Sequence, residues 1–189
     1  MTSGGPGFWK NYRAEQALRA AATSYVARLT ADPPEADVAW LGAIMLGKDH
    51  DHARWELRYA RRALGLLVAE RDALNDRTAS LVAESLEVAL ERDPNVAKDR
   101  VEIAERQFNA RLSAYRDAFT KRSAKEALAA RLARELLSFS TAIAPDPDQA
   151  IAAGAAVLAR YMTEAAEALR QAFGEATLPE DIPPSQAIG

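Results

Sequence analysis

The chain has 189 residues, 49% of them hydrophobic and 27% charged, which fits one compact domain with a sizeable core and leaves little room for two. A formal net charge of -3 argues against a protein that coats nucleic acid. With no cysteine and only two histidines, disulfides, thiolate zinc sites, iron–sulfur clusters and cysteine nucleophiles are excluded, and a His-rich metal centre has little material.

No apolar run approaches the roughly 18 residues of a membrane span. Residues 1–7 lack the basic and apolar regions of a secretory signal, so a cytoplasmic protein is expected. The glycines Gly4, Gly5 and Gly7 make residues 1–7 a flexible arm, residues 8–175 form a single domain, and residues 176–189, with Pro179, Pro183 and Pro184, form an extended or disordered tail.

Proline is absent from 35–93 and from 95–144, and both windows are rich in Ala, Leu, Glu and Arg, the strong helix formers. No stretch alternates convincingly as a strand. The expected fold is all-α, a helical bundle of five to six helices with one long antiparallel helical hairpin. The first helix runs from about Phe8 to Leu29 with the stripe Leu18, Ala22, Tyr25, Leu29. Asp32-Pro33-Pro34-Glu35 reads as an N-cap with its capping box, starting a short second helix that Gly47 closes in a left-handed conformation.

Asp49 or Asp51 caps a third helix that reaches toward Arg92. Unbroken, it would span roughly 60 Å, more than the ~42 Å diameter of a compact chain this long. Either it breaks near Asn75-Asp76 or the hairpin projects. The apolar stripe stays in phase through Leu67, Leu74 and Leu81, which favours continuity. The polar residues Arg71, Asp72, Asn75 and Thr78 then read as a register-fixing layer, and Arg71 and Asp72, being adjacent, would each need a partner on another helix such as Glu105 or Glu126.

Asp93-Pro94-Asn95 is a turn, and a fourth helix carries Val101, Ala104, Phe108, Leu112, Tyr115 and Phe119. Its rhythm fails before Leu128, Leu132 and Leu136, which places a break near the capping box Ser123–Glu126. The cluster Lys121, Arg122 and Lys125 suits the end of that fourth helix. Asp146-Pro147 opens the last helix and Gly174 ends it. Gly42, Gly65 and Gly154 lie inside helical patterns, where each costs about 1 kcal/mol relative to Ala; close helix crossing is one compensation.

Three groups are candidate sites. His50, His52 and Glu56 could ligate a metal, since His52 and Glu56 share a helix face. Capping and the helix dipole also explain acids at that helix start. Arg54, Arg58, Arg61 and Arg62 form a stripe that could grip phosphates, acidic lipid or an acidic helix, or simply be paired. Trp55, Tyr59 and Leu66 form a second apolar face on the third helix, so that helix is either central in the bundle or shared between subunits. No phosphate loop, nucleophile elbow, zinc-protease motif or di-iron Glu-x-x-His pair occurs, and no cofactor is implied. The reading is a non-enzymatic interaction or scaffold protein acting through that face as a homodimer. The alternative is a ligand- or metal-binding bundle, conceivably an enzyme, built on His50, His52 and Glu56.

Overall fold

Caps and breakers decide where each helix stops. The computed structural model describes residues 6–73, 75–121 and 126–174. Within them the chain forms seven α-helices: α1 (Pro6–Leu29), α2 (Glu35–Ile44), α3 (His50–Asp72), α4 (Asp76–Glu91), α5 (Val101–Thr120), α6 (Leu128–Phe139) and α7 (Pro147–Phe173). The all-α bundle is as expected. Residues 1–5, the tail and the Ser123 cap fall outside the described residues.

Asp49 caps α3 by accepting from the His52 amide at 2.9 Å. Asp146 caps α7 by accepting from the amides of Asp148 and Gln149, each at 3.1 Å, with Pro147 in the first turn. Gly47 takes φ +76 between α2 and α3, the left-handed geometry that favours glycine.

Two expectations about helix ends are corrected. The third helix is not continuous past Asn75: Ala73 is extended (φ -64, ψ 143) and the Asn75 side chain accepts from the Thr78 amide at 2.9 Å, starting α4 afresh. The long rod becomes segments of roughly 35 Å and 24 Å, which fit the globule. Arg71 and Asp72 accordingly form no buried layer. They pair with each other at the exposed end of α3, Nε to Oδ1 at 2.5 Å. Asp32 does not cap α2 either. The residue before that helix is Pro34, with no side-chain cap, and the Asp32 carboxylate accepts from Arg58 instead.

The core is organised around α3. Its residues from Leu57 to Ala69 are almost all buried, apolar Leu57, Ala60, Leu64 and Val68 among them. Around it α4 packs on α1, α1 on α7, α7 on α6 and α6 on α5, while α2 covers the start of α3. A helix apolar on two faces is therefore the central helix here. Gly65 permits a close approach of α1: a Cβ there would overlap the Leu29 side chain, and the Tyr25 hydroxyl donates to the Gly65 carbonyl at 2.8 Å. The arc is nearly open at one place. α4 and α5 meet only sparsely, and the α3 surface beneath them lines a cleft.

Candidate functional site: the cleft between α4 and α5

The polar cluster at the start of α3 does not assemble a metal site. His52 Nε2 lies 3.1 Å from Glu56 Oε1, as helical spacing predicts. But Glu56 is almost fully buried and both its oxygens are taken by Arg111 of α5, Nε to Oε2 at 3.0 Å and Nη2 to Oε1 at 2.5 Å. His50 lies elsewhere, its ring against Gly42. Among the described residues no three His, Cys, Asp or Glu side chains form a group able to hold a metal ion. Burial works against the Arg111 charge, yet the paired Glu56 carboxylate outweighs it and raises the guanidinium pKa. The same guanidinium lies over the Tyr59 and Phe139 rings, 5.3 and 4.6 Å from their centroids. The Glu56–Arg111 pair is thus a brace between α3 and α5.

The arginine stripe is likewise turned inward. Arg54 meets Glu35 through two bonds of 2.6 and 3.0 Å, and Arg58 meets Asp32 at 2.6 and 2.8 Å. Arg61 donates to the Asp32 carbonyl at 3.0 Å and lies 3.5 Å from Glu164. Arg62, buried, pairs with buried Asp93 at 2.5 Å. Each guanidinium already has an acceptor, so the stripe fastens α3 to its neighbours and is not a free anion grip. Asp93 shows the balance: burial alone would raise its pKa, but hydrogen bonds from Asn95 and the Arg62 charge lower it overall.

Trp55, Tyr59 and Leu66 do lie along one side of α3, but not as a bare face. Tyr59 and Leu66 are 3% and 7% exposed, and Trp55 is half-buried. The rings run in series, Trp55 to Tyr59 at 5.7 Å and Tyr59 to Phe108 at 6.4 Å, and the Tyr59 hydroxyl donates to Gln107 at 3.1 Å. These residues line two adjoining hollows. A cleft of about 290 Å³ has Tyr59, Arg62, Leu66 and Phe108 below and Leu86 and Leu90 of α4 facing Ala104 and Leu112 of α5. A second hollow, about 540 Å³, runs on past Trp55, Val96 and half-exposed Ile103, sharing Tyr59 and Ala104. Glu87, Glu91 and Glu105, all exposed, line the first.

Sequence reasoning reached Trp55, Tyr59 and Leu66 but missed the walls. A signal was there: Leu86-Glu87 and Leu90-Glu91 repeat an apolar–acidic pair one helical turn apart. Arg111 gave no local signal, because its partner lies 55 residues away.

The structure is an all-α bundle around a central helix, with an apolar cleft that has charged edges. Residues 57–182, about two thirds of the chain, match the family model described as ubiquinol-cytochrome C chaperone, and the chain belongs to that family. No curated protein and no solved structure matches it. The matched stretch begins in α3 and includes all the cleft residues named above, while His50, His52, Trp55 and Glu56 precede it. No described helix is long and apolar enough to cross a membrane.

Proposed function

We propose that this protein is a non-catalytic assembly chaperone that holds a client polypeptide in the α4–α5 cleft, the client belonging, in line with the family's description, to the ubiquinol-cytochrome C machinery. The observation that carries this reading is the position of the opening: α4 packs on α1, α1 on α7, α7 on α6 and α6 on α5, but α4 and α5 meet only sparsely, and apolar α3 residues line the cleft between them. Apolar grooves that admit part of a polypeptide are a recurrent way of recognising chains by shape and burial. Ala104, which borders both hollows, is the place to plug them. In the source organism, an Ala104→Trp replacement is expected to lower ubiquinol–cytochrome c oxidoreductase activity in membranes as far as deletion does, with the purified variant keeping its helical circular dichroism. Full activity in a folded, expressed Ala104→Trp strain refutes the assignment.

A homodimer reading is favoured at the second hollow, where Ile103 is 47% exposed beside Trp55 of the apolar face. If two copies meet there, sedimentation at tens of micromolar shows a dimer that Ile103→Glu converts to monomer. A wild-type monomer ends that reading.

A further inference from the structure

The acidic side chains of α4 and α5 divide into paired and unpaired ones. On α4, Glu84 lies 3.6 Å from Arg19, and on α5, Glu102 lies 3.9 Å from Arg106. Glu87, Glu91 and Glu105 have no ion-pair partner among the described residues, and all three border the cleft. Glu87 and Glu91 are four apart on α4, where like charges repel and oppose the helix. Below them Arg62, 3% exposed, is held through Nη2 by Asp93, yet its Nε has no hydrogen-bond acceptor. Such a buried, unsatisfied donor is uncommon in a finished interior. The cleft therefore offers two things at once: an apolar trough between two helices, and acidic side chains without an ion-pair partner among the described residues on both walls.

We infer that the occupant of the cleft is an amphipathic helix with an aliphatic face and flanking Lys or Arg, its cations meeting Glu87 and Glu91 on one wall and Glu105 on the other. This rests on the reading of the cleft as the client site and adds the chemistry that selects the client. An aliphatic face supplies the burial that Tyr59, Leu66, Leu86 and Phe108 leave incomplete. The helical form suits a space bounded by helices, entered as successive anchors on one face. The basic flanks remove the like-charge repulsion on α4 and set orientation. A second copy of this chain fits the same cleft poorly, because two acidic rims would face each other.

The experiment uses the full chain and fluorescence anisotropy with three labelled peptides of roughly five helical turns. They share one Leu/Ala face and differ only in their flanks, which are Lys/Arg, Gln or Glu. Wild-type protein is expected to bind the basic peptide about tenfold more tightly than the Gln peptide, the sum of three exposed pairs, with the Glu peptide weakest. High salt should remove the preference. The triple change Glu87→Gln, Glu91→Gln, Glu105→Gln should remove it too while leaving affinity for the Gln peptide unchanged, which also shows that the variant is folded. Equal binding of all three peptides by wild type, or a preference that survives the triple change, overturns the charge inference and leaves the cleft as client site. Failure of every peptide to bind, or binding indifferent to Ala104→Trp, overturns the underlying reading together with it.

Discussion

The two sides of α3 use the same kind of surface in opposite ways. On the side of α1 and α7 the two outer helices pack on each other, Gly65 sits against Leu29, Tyr25 is bonded to the α3 backbone and Leu158 of α7 is fully buried, with a hollow of about 250 Å³ left beside Leu29, Arg61 and Tyr161. On the side of α4 and α5 equally apolar residues, Leu66, Leu86 and Phe108, border a cleft. Composition does not distinguish the sides; packing does. Close packing converts buried area into stability, whereas a loosely roofed trough keeps part of its area for a guest. The sharpest way to break this comparison is a matched pair of truncations. Leu158→Ala on the closed side is expected to cost about 3 kcal/mol in urea unfolding, and Leu90→Ala, half-buried on the cleft wall, under about 1 kcal/mol. Equal costs would mean that the cleft is ordinary core.

How far the sequence carried this picture depends on the range of the interaction involved. Asp49 and Asp146 act within three residues of themselves, so their roles were readable, whereas Gly47 takes the left-handed conformation expected but α2 ends before it, with Met45 at its C-cap. Asn75 acts just as locally, yet the apolar register running from Leu67 to Leu81 pointed the other way. Periodicity reports which face meets the core, and two consecutive helices on one core can keep the same phase across a break. Asp32 and Glu56 were placed correctly near helix starts, but distant arginines, 26 and 55 residues on, decide what they do. The cleft was the least legible feature. It comes from the sparse meeting of α4 and α5, and no local pattern encodes a contact that is not made.

A second prediction concerns the connection that sets the spacing of the cleft walls. Asp93, in the segment joining α4 to α5, is held by Arg62 of α3 and has a folded-state pKa below its ordinary 3.8. A lowered carboxylate pKa contributes stability that is fully present above the unfolded value and lost as pH falls through the folded one. The urea midpoint of the wild-type protein should therefore fall as pH drops below about 4. Asp93→Asn, less stable at neutral pH because it leaves buried Arg62 without its counter-charge, should show a flatter profile across that window. Parallel profiles would show that the ion pair does not hold the walls.

On the closed side, Gly65→Ala should destabilise by about 1 kcal/mol: the new methyl displaces Leu29, at about 1–3 kcal/mol for overpacking, and the better helix propensity of alanine returns about 1 kcal/mol. Gly154→Ala, where a Cβ would meet Ala133 Cβ at 3.2 Å, needs a smaller shift and should be near neutral. A neutral Gly65→Ala would mean that the α1–α3 seam has slack, and the contrast with the cleft would weaken.

The smallest effect on stability is the most telling about function. Glu87 and Glu91 repel each other along α4 and have no ion-pair partner among the described residues, so the double change Glu87→Gln, Glu91→Gln should stabilise the protein by about 0.2–0.5 kcal/mol. If the pair serves only solubility, nothing else should follow. If the acidic wall reads the flanks of a client, the same change should weaken binding of the Lys/Arg-flanked peptide several-fold. A substitution that makes the fold slightly more stable and the binding weaker is the mark of a local arrangement kept for function at some cost in stability. On the closed side, by contrast, Leu158→Ala and Gly65→Ala should lower stability and leave peptide affinity per folded molecule unchanged. Opposite signs on the two sides of one helix would separate its structural face from its working face, and the same sign on both would erase the distinction.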